Sequence, residues 1–351
     1  MQPKNNKSIF ITLSALLLIT MIAAIGWGAV YILPTEMISS LKHFFQGESQ
    51  ASIHEGVFLK LRLPRVLLCM ITGAILAVSG VLMQGLFRNP IVEPGLAGTS
   101  AGAAFGASIV FVLSAGMSPD MKAQTGPLLV PLFAFGGSLL ATFTVYTLAK
   151  FSKGVPILSL LLIGMAVNAV GLSGTGFMSY VARDPQARSI TFWNLGTFSG
   201  ASWMQVAIVG TIMLIVFVLA FTYSKHINAL LLGEEEATYL GVDTEKLKRN
   251  VLILNTLMVS VATAFVGVIS FIGLIVPHIL RTIIGSDNRI LLPASAILGA
   301  LILLVADLLA RLLLAPAEIP IGIITSLVGA PVFIILLKRN NVLGKIGGGD
   351  A

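Results

Sequence analysis

The sequence predicts an all-α, polytopic membrane protein with about ten transmembrane helices, and three observations carry that prediction. Of the 351 residues 56% are hydrophobic and only 11% are charged, a balance no ordinary soluble domain has. Mean hydropathy is +0.96. The apolar residues form repeated runs of about 20, the length that crosses roughly 30 Å of hydrocarbon, with charges, prolines and glycines between them.

Taken in order, the spans fall near 9–33, 66–86, 96–116, 128–150, 156–181, 203–223, 250–272, 275–285, 291–313 and 320–337 of a single domain over residues 1–351. Lys4 and Lys7 precede the first run, which is too long for a signal h-region and reads as an uncleaved helix. Arg62 and Arg65 mark one end of the second span and Arg88 the other. Pro90 and Pro94 force a turn after it. The third helix begins near Leu96, where Gly98, Gly102 and Gly106 form one small-residue face for a neighbouring helix. The fifth span carries Gly164, Asn168, Gly171, Ser173, Gly174, Thr175 and Gly176, small enough to line a path or to pack helices. Residues 190–198, with Trp193, read as a short interfacial helix. Residues 224–250 form the longest connection on their side and its only hydrophilic stretch with helix-forming content. Val251 to Ile284 is too long for one helix, and Gly273 and Pro277 are the expected break.

With both termini on the cytoplasmic side, eight of the 22 lysines and arginines fall outside and the other fourteen inside, as the positive-inside rule requires. The eight are Lys42, Lys60, Arg62, Arg65, Lys122, Arg183, Arg188 and Arg311. A net charge of +7 is therefore explained by loops, and no nucleic-acid partner is expected. The one cysteine, Cys69, forms no intrachain disulfide and reads as core packing.

Several motifs define what the chain does not do. Gly98-Thr-Ser-Ala-Gly102 matches the serine-hydrolase G-x-S-x-G pattern, but it opens a membrane helix, so helix packing is the better reading. There is no G-x-x-x-x-G-K-[ST] loop, so ATP is not bound by that device and no cofactor is expected in this chain. Asp307 lies deepest of the acids within a span and sits four residues before Arg311, a natural internal pair. His278 stands alone and reads as a packing residue; no metal site is expected.

The strings RLPR (62–65), SGVLMQGLFRNPIVEPGLAG (79–98) and SAGAAFGA (100–107) resemble the FecCD-type permeases, membrane subunits of ABC importers for iron-siderophores, haem and vitamin B12. Similar signatures follow at 232–242, 271–281, 306–311 and 318–331. The resemblance implies a type II ABC importer permease fold in a bacterial inner membrane, surrounded by lipid and acting as a homodimer. It implies ATP hydrolysis on a separate ATPase subunit docked at a coupling segment, residues 227–243, through Leu232, Gly233, Glu234, Glu235, Ala237, Leu240, Gly241 and Val242. It implies docking of a periplasmic or lipid-anchored binding protein at Arg62, Arg65 and Arg311, whose planar guanidinium groups suit carboxylates. It places the fifth helix, with Asn168 and Ser173, along the path and an inner gate at Asn89, Ile91 and Gly154. Ferric siderophore is the expected cargo, with haem or cobalamin as alternatives; an ion-coupled secondary transporter is the competitor from another class.

Overall fold

The computed structural model describes residues 6–28, 30–46, 52–150 and 155–339. Gly154, expected at the inner gate, lies outside them. Eight helices among the described residues are long and apolar enough to cross a membrane, and two shorter apolar helices accompany them.

The first helix, α1 (Asn6–Gly26), ends seven residues before the expected limit at Leu33. The chain bends back there, with the Ile32 amide donating to the Gly26 carbonyl at 3.1 Å. Pro34, whose missing amide costs nothing at a helix start, opens α2 (Pro34–Gln46). A short α3 (Ile53–Val57), capped by Ser52, leads through a π-helical turn at Phe58–Arg62 into α4 (Leu63–Leu86). That wide turn falls on Arg62, the first of the two flanking arginines.

The bundle is organised around α4, whose apolar window is 83% buried. Two glycines make this possible. A Cβ on Gly73 would lie 2.3 Å from the Gly299 carbonyl oxygen, and one on Gly80 would lie 1.8 Å from that of Gly273. Any side chain at either position would push the neighbouring helix away.

After a turn at residues 87–98 come α5 (Thr99–Leu113), α6 (Pro119–Ala149) and α7 (Ile157–Val181). They form a second layer in which Gly102 meets Gly137 backbone to backbone. Ser100 therefore starts a packed helix and not a strand-to-helix elbow. The short helix expected at 190–198 lies earlier, as α8 (Gln186–Asn194), and precedes α9 (Trp203–Thr222); two further short helices, α10 (Ser224–Leu230) and α11 (Glu234–Tyr239), lead into α12 (Thr244–Val266). The chain closes with α13 (Ile272–Ile284), α14 (Asn288–Leu312) and α15 (Ile321–Arg339).

The break between α12 and α13 is not at Gly273 and Pro277. It spans residues 267–271, where Gly267 (φ 79°) and Phe271 (φ 72°) take positive φ. Pro277 sits inside α13. It removes the amide that would bond the Gly273 carbonyl, but Gln84 Nε2 from α4 donates to that oxygen at 3.2 Å and to Leu274 at 3.1 Å. A side chain thus replaces the missing backbone donor, and the helix continues.

Candidate functional site

Two charged clusters stand at opposite ends of α4, separated by its 24 residues, or about 36 Å. At the α4 N-terminal end, Asp307 of α14 is 1% exposed. Arg65 donates to its Oδ1 from Nε (3.1 Å) and Nη2 (2.9 Å), and Arg311 donates to Oδ2 from Nε (3.0 Å). One carboxylate buried between two guanidinium groups is a charge-assisted arrangement that needs every partner.

The same arginines hold neighbouring segments. Arg65 also grips Glu318, on the approach to α15, at 2.8 and 3.0 Å. Arg311 donates to the Ala24 and Trp27 carbonyls at the end of α1, and Arg62 donates to Trp27 and Val30. Carbonyls left open where α1 stops thereby gain donors. Arg62 and Arg65 remain half-buried, whereas Arg311 is 7% exposed and turned inward onto Asp307. Arg311 accordingly has the internal partner that its spacing from Asp307 allowed.

The opposite end carries the 87–98 turn and the segment expected to couple. α4 stops with Arg88 at φ 50° and the Asn89 amide bonded to the Gln84 carbonyl at 3.1 Å. Glycine is the usual occupant of that left-handed position, and another residue there costs roughly 1–2 kcal/mol. The Arg88 side chain reaches Glu234 of α11 at 4.0 Å. Asn89 Oδ1 accepts from the Ile91 amide at 3.0 Å, so the two expected gate residues among the described ones belong to one local turn. Two asparagines bind the carbonyls that the turn leaves open: Asn255 donates to Pro94 at 3.2 Å, and Asn168 donates to Gly95 at 3.3 Å and Leu96 at 3.4 Å. Half-buried Glu93 accepts from the Phe271 amide at 3.3 Å, linking both breaks in the helical run. Burial pushes its carboxyl up from the usual range, and the Phe271 bond partly opposes that shift.

The fifth span's small residues divide between two faces. A Cβ on Gly164 would lie 2.2 Å from the Leu96 carbonyl oxygen, and Gly171 and Gly174 press against Ala101 and Phe105. These pack α7 on the 87–98 turn and on α5. Ser173 and Gly176 lie on the other face, beside Leu172 and Phe177, which are 61% and 60% exposed. Asn168 and Ser173 are thus not brought together.

In the segment expected to couple, Gly233 opens α11 at φ 147°, and the Glu236 carboxylate lies over that start, 1.7 Å from where a Cβ would stand. At the other end Gly241, at φ 83°, closes the helix, with Val242 N–H bonded to the Ala237 carbonyl at 3.0 Å. Ala237 is fully buried, while Leu232, Tyr239 and Leu240 are 69%, 88% and 64% exposed, and Glu235 is exposed beside them. Three large apolar side chains on an acidic knob suit a protein partner. Behind the knob, Asn228 of α10 donates to Asp287 at 2.8 Å and accepts from the Asn288 amide at 2.9 Å, fixing α10 to the start of α14. Bonds from Arg289, then Asn228, hold the Asp287 carboxyl down at about 2.

Sequence reasoning missed Lys248, Glu245, Asn228, Gln84 and Asn255. A signal existed for Lys248 and Asn255: with Val251 and Leu252 they fall at helical spacing on the buried face of α12. A lysine in that register marks a buried partner.

A layered helical membrane bundle with broken helices bound by side chains defines a polytopic permease architecture. The chain belongs to the FecCD transport family, whose model matches residues 16–339; it is a permease of the metal-chelate, haem and vitamin B12 type of ABC importer. It is 41% identical over 283 residues to the hemin transport system permease of Yersinia pestis, covering 81% of this chain and 83% of that one. It is 33% identical over 344 residues to the iron(3+)-hydroxamate import system permease of Bacillus subtilis, covering 97% and 100%. A solved chain described as an inward-facing ABC transporter of the metal-chelate type superposes with a TM-score of 0.78 at 32% identity, covering 95% of this chain and 99% of that one. Family membership implies an ATPase partner and a substrate-binding protein.

Proposed function

We propose that this chain is the membrane subunit of an ATP-driven importer in a bacterial inner membrane, with both termini cytoplasmic, and that it receives a ferric siderophore from a periplasmic or lipid-anchored binding protein. The observation that carries the reading is the α11 knob, with Leu232, Tyr239 and Leu240 exposed around a buried Ala237. An ATPase subunit docks there; ATP is bound and hydrolysed by that subunit, and this chain performs no covalent chemistry. Two copies of the chain enclose the path at a two-fold axis, with the open face of α7 bearing Ser173 turned towards it. Asn89 and Ile91 stand at its inner mouth. The binding protein presents carboxylates to Arg62 and Arg65, and Arg311 braces them from behind through Asp307.

Haem is the second reading for the cargo, favoured by the 41% identity to a hemin permease. An ion-coupled transporter has less support. Asp307, the acid expected deepest in a span, is tied to two arginines in an internal ion cluster, which favours a structural role over proton relay.

The test is uptake into proteoliposomes holding the permease with its ATPase subunit, supplied with binding protein and, in turn, a ferric hydroxamate, haemin and cobalamin. ATP-dependent accumulation of the ferric hydroxamate is expected; accumulation of haemin alone selects the second reading. Gradient-driven uptake by the permease without an ATPase contradicts the proposal.

A further inference from the structure

Lys248 is 2% exposed, yet it carries an ammonium group with three donors to satisfy. All three find acceptors: Glu234 Oε2 at 2.7 Å, Glu245 Oε1 at 2.9 Å and the Val155 carbonyl at 3.2 Å. The other oxygen of Glu245 accepts from the Val155 amide at 3.0 Å, closing a ring of bonds. The acceptors come from three places in the chain: α11, the first turn of α12 and Val155, two residues before α7.

α11 itself is six residues long, and Ala237 is its one buried residue. Six residues with so small a core make a weak lever. A push on α11 therefore reaches the bundle through what its side chains hold, and Glu234 is held by Lys248 and touched by Arg88. From Val155 the connection runs into α7, where Gly164 abuts Leu96 and Asn168 binds the Gly95 and Leu96 carbonyls. Arg88 belongs to that same turn. Two routes from Glu234, one through Lys248 and α7 and one through Arg88, thus converge on residues 87–98.

We propose that Lys248 is a positioning residue, a pin that locks α11 to the start of α7 so that a load on α11 moves the 87–98 turn. The inference rests on the reading of α11 as the ATPase dock, and it adds the means of transmission.

The native cysteine, Cys69, is fully buried, so spin labels can be placed at Thr238→Cys on α11 and Leu158→Cys on α7, both exposed in the wild type. In assembled transporters in which labelled chain is diluted with unlabelled chain, so that one copy carries both labels, pulsed EPR is expected to give one narrow distance with Lys248 or Lys248→Arg, and at least a twofold broader distribution with Lys248→Met. In proteoliposomes, Lys248→Met is expected to lower ferric-hydroxamate or haemin uptake per ATP hydrolysed at least tenfold, with recovery in Lys248→Arg. A narrow distribution in Lys248→Met, or unchanged uptake per ATP, overturns the pin. Loss of the ATPase subunit from Lys248→Met also overturns it, since Lys248 then builds the dock. If Lys248→Met does not fold, Glu245→Gln decides: an intermediate broadening supports the pin and an unchanged distance overturns it. Absence of ATP-driven uptake by the wild-type complex rejects the proposed function alone, because the distance measurement still decides the pin.

Discussion

The two charged clusters are built from the same kinds of side chain and solve different problems. At the Arg62 end, Asp307 is buried between Arg65 and Arg311, which also hold α1 and the approach to α15. At the α11 end, Lys248 is as deeply buried, but its acceptors Glu234 and Glu245 have side chains 35% and 47% exposed. A carboxylate enclosed by cations gives up its energy only when the bundle opens, whereas carboxylates at the water's edge can exchange partners cheaply. The first arrangement braces the bundle. The second suits a joint that carries load while its outer parts stay within reach of a partner.

The largest expected effect separates the two directly. Asp307→Ala leaves two guanidinium groups without their shared carboxylate and is expected to cost about 3–5 kcal/mol, measured as a fall in the thermal unfolding temperature of purified protein. A loss under about 1 kcal/mol would mean that the cluster is not a brace. Lys248→Met comes next in stability, at about 1 kcal/mol, because the carboxylates it abandons can turn to water. Its main effect falls on coupling, so a stability loss equal to that of Asp307→Ala would erase the contrast.

Glu318→Gln is expected to be milder, at most about 1 kcal/mol, since the pair with Arg65 is partly exposed. If the binding protein's carboxylates compete for Arg65, the same variant should also tighten docking, read as a lower dissociation constant; weaker docking would place Glu318 itself in the interface. The smallest effect concerns pH. The Asp287 carboxyl is held down at about 2, so its contribution is fully present above the unfolded value near 4 and is lost as pH falls from there through about 2. Asp287→Asn keeps a competent N-cap and should flatten the acid limb of the stability curve over that window by about 0.5 kcal/mol, less than the shift alone implies because the pair with Arg289, whose side chain is 56% exposed, is screened by solvent. An unchanged acid limb would show that Asn228 and Arg289 do not depend on that charge.

Much of this was legible in the sequence because membrane spans announce themselves by length and charge punctuation. The α4 run, the 87–98 turn, the α11 segment and the Asp307–Arg311 spacing were all readable in that way. Less legible were features set by tertiary partners. Pro277 was expected to end a helix, and a glutamine 193 residues earlier in the chain, Gln84, supplies the donor that keeps it intact. Where the first helix stops at Gly26, Arg311 donates to the Ala24 carbonyl and Arg62 to that of Trp27, and nothing near Gly26 signals those donors. Lys248 was counted as one more loop cation, although its register with Val251 and Asn255 places it on the buried face of α12.

The most direct measurement compares the two ends in one experiment. A photo-reactive side chain is placed at Tyr239, 88% exposed on α11, or at Leu61, 60% exposed beside the arginines, and illuminated in native membranes. The account predicts that Tyr239 captures a subunit that carries a phosphate-binding loop and hydrolyses ATP, and that Leu61 does not. Capture of that ATPase from Leu61, or its absence at Tyr239 in membranes that import by ATP, would contradict it.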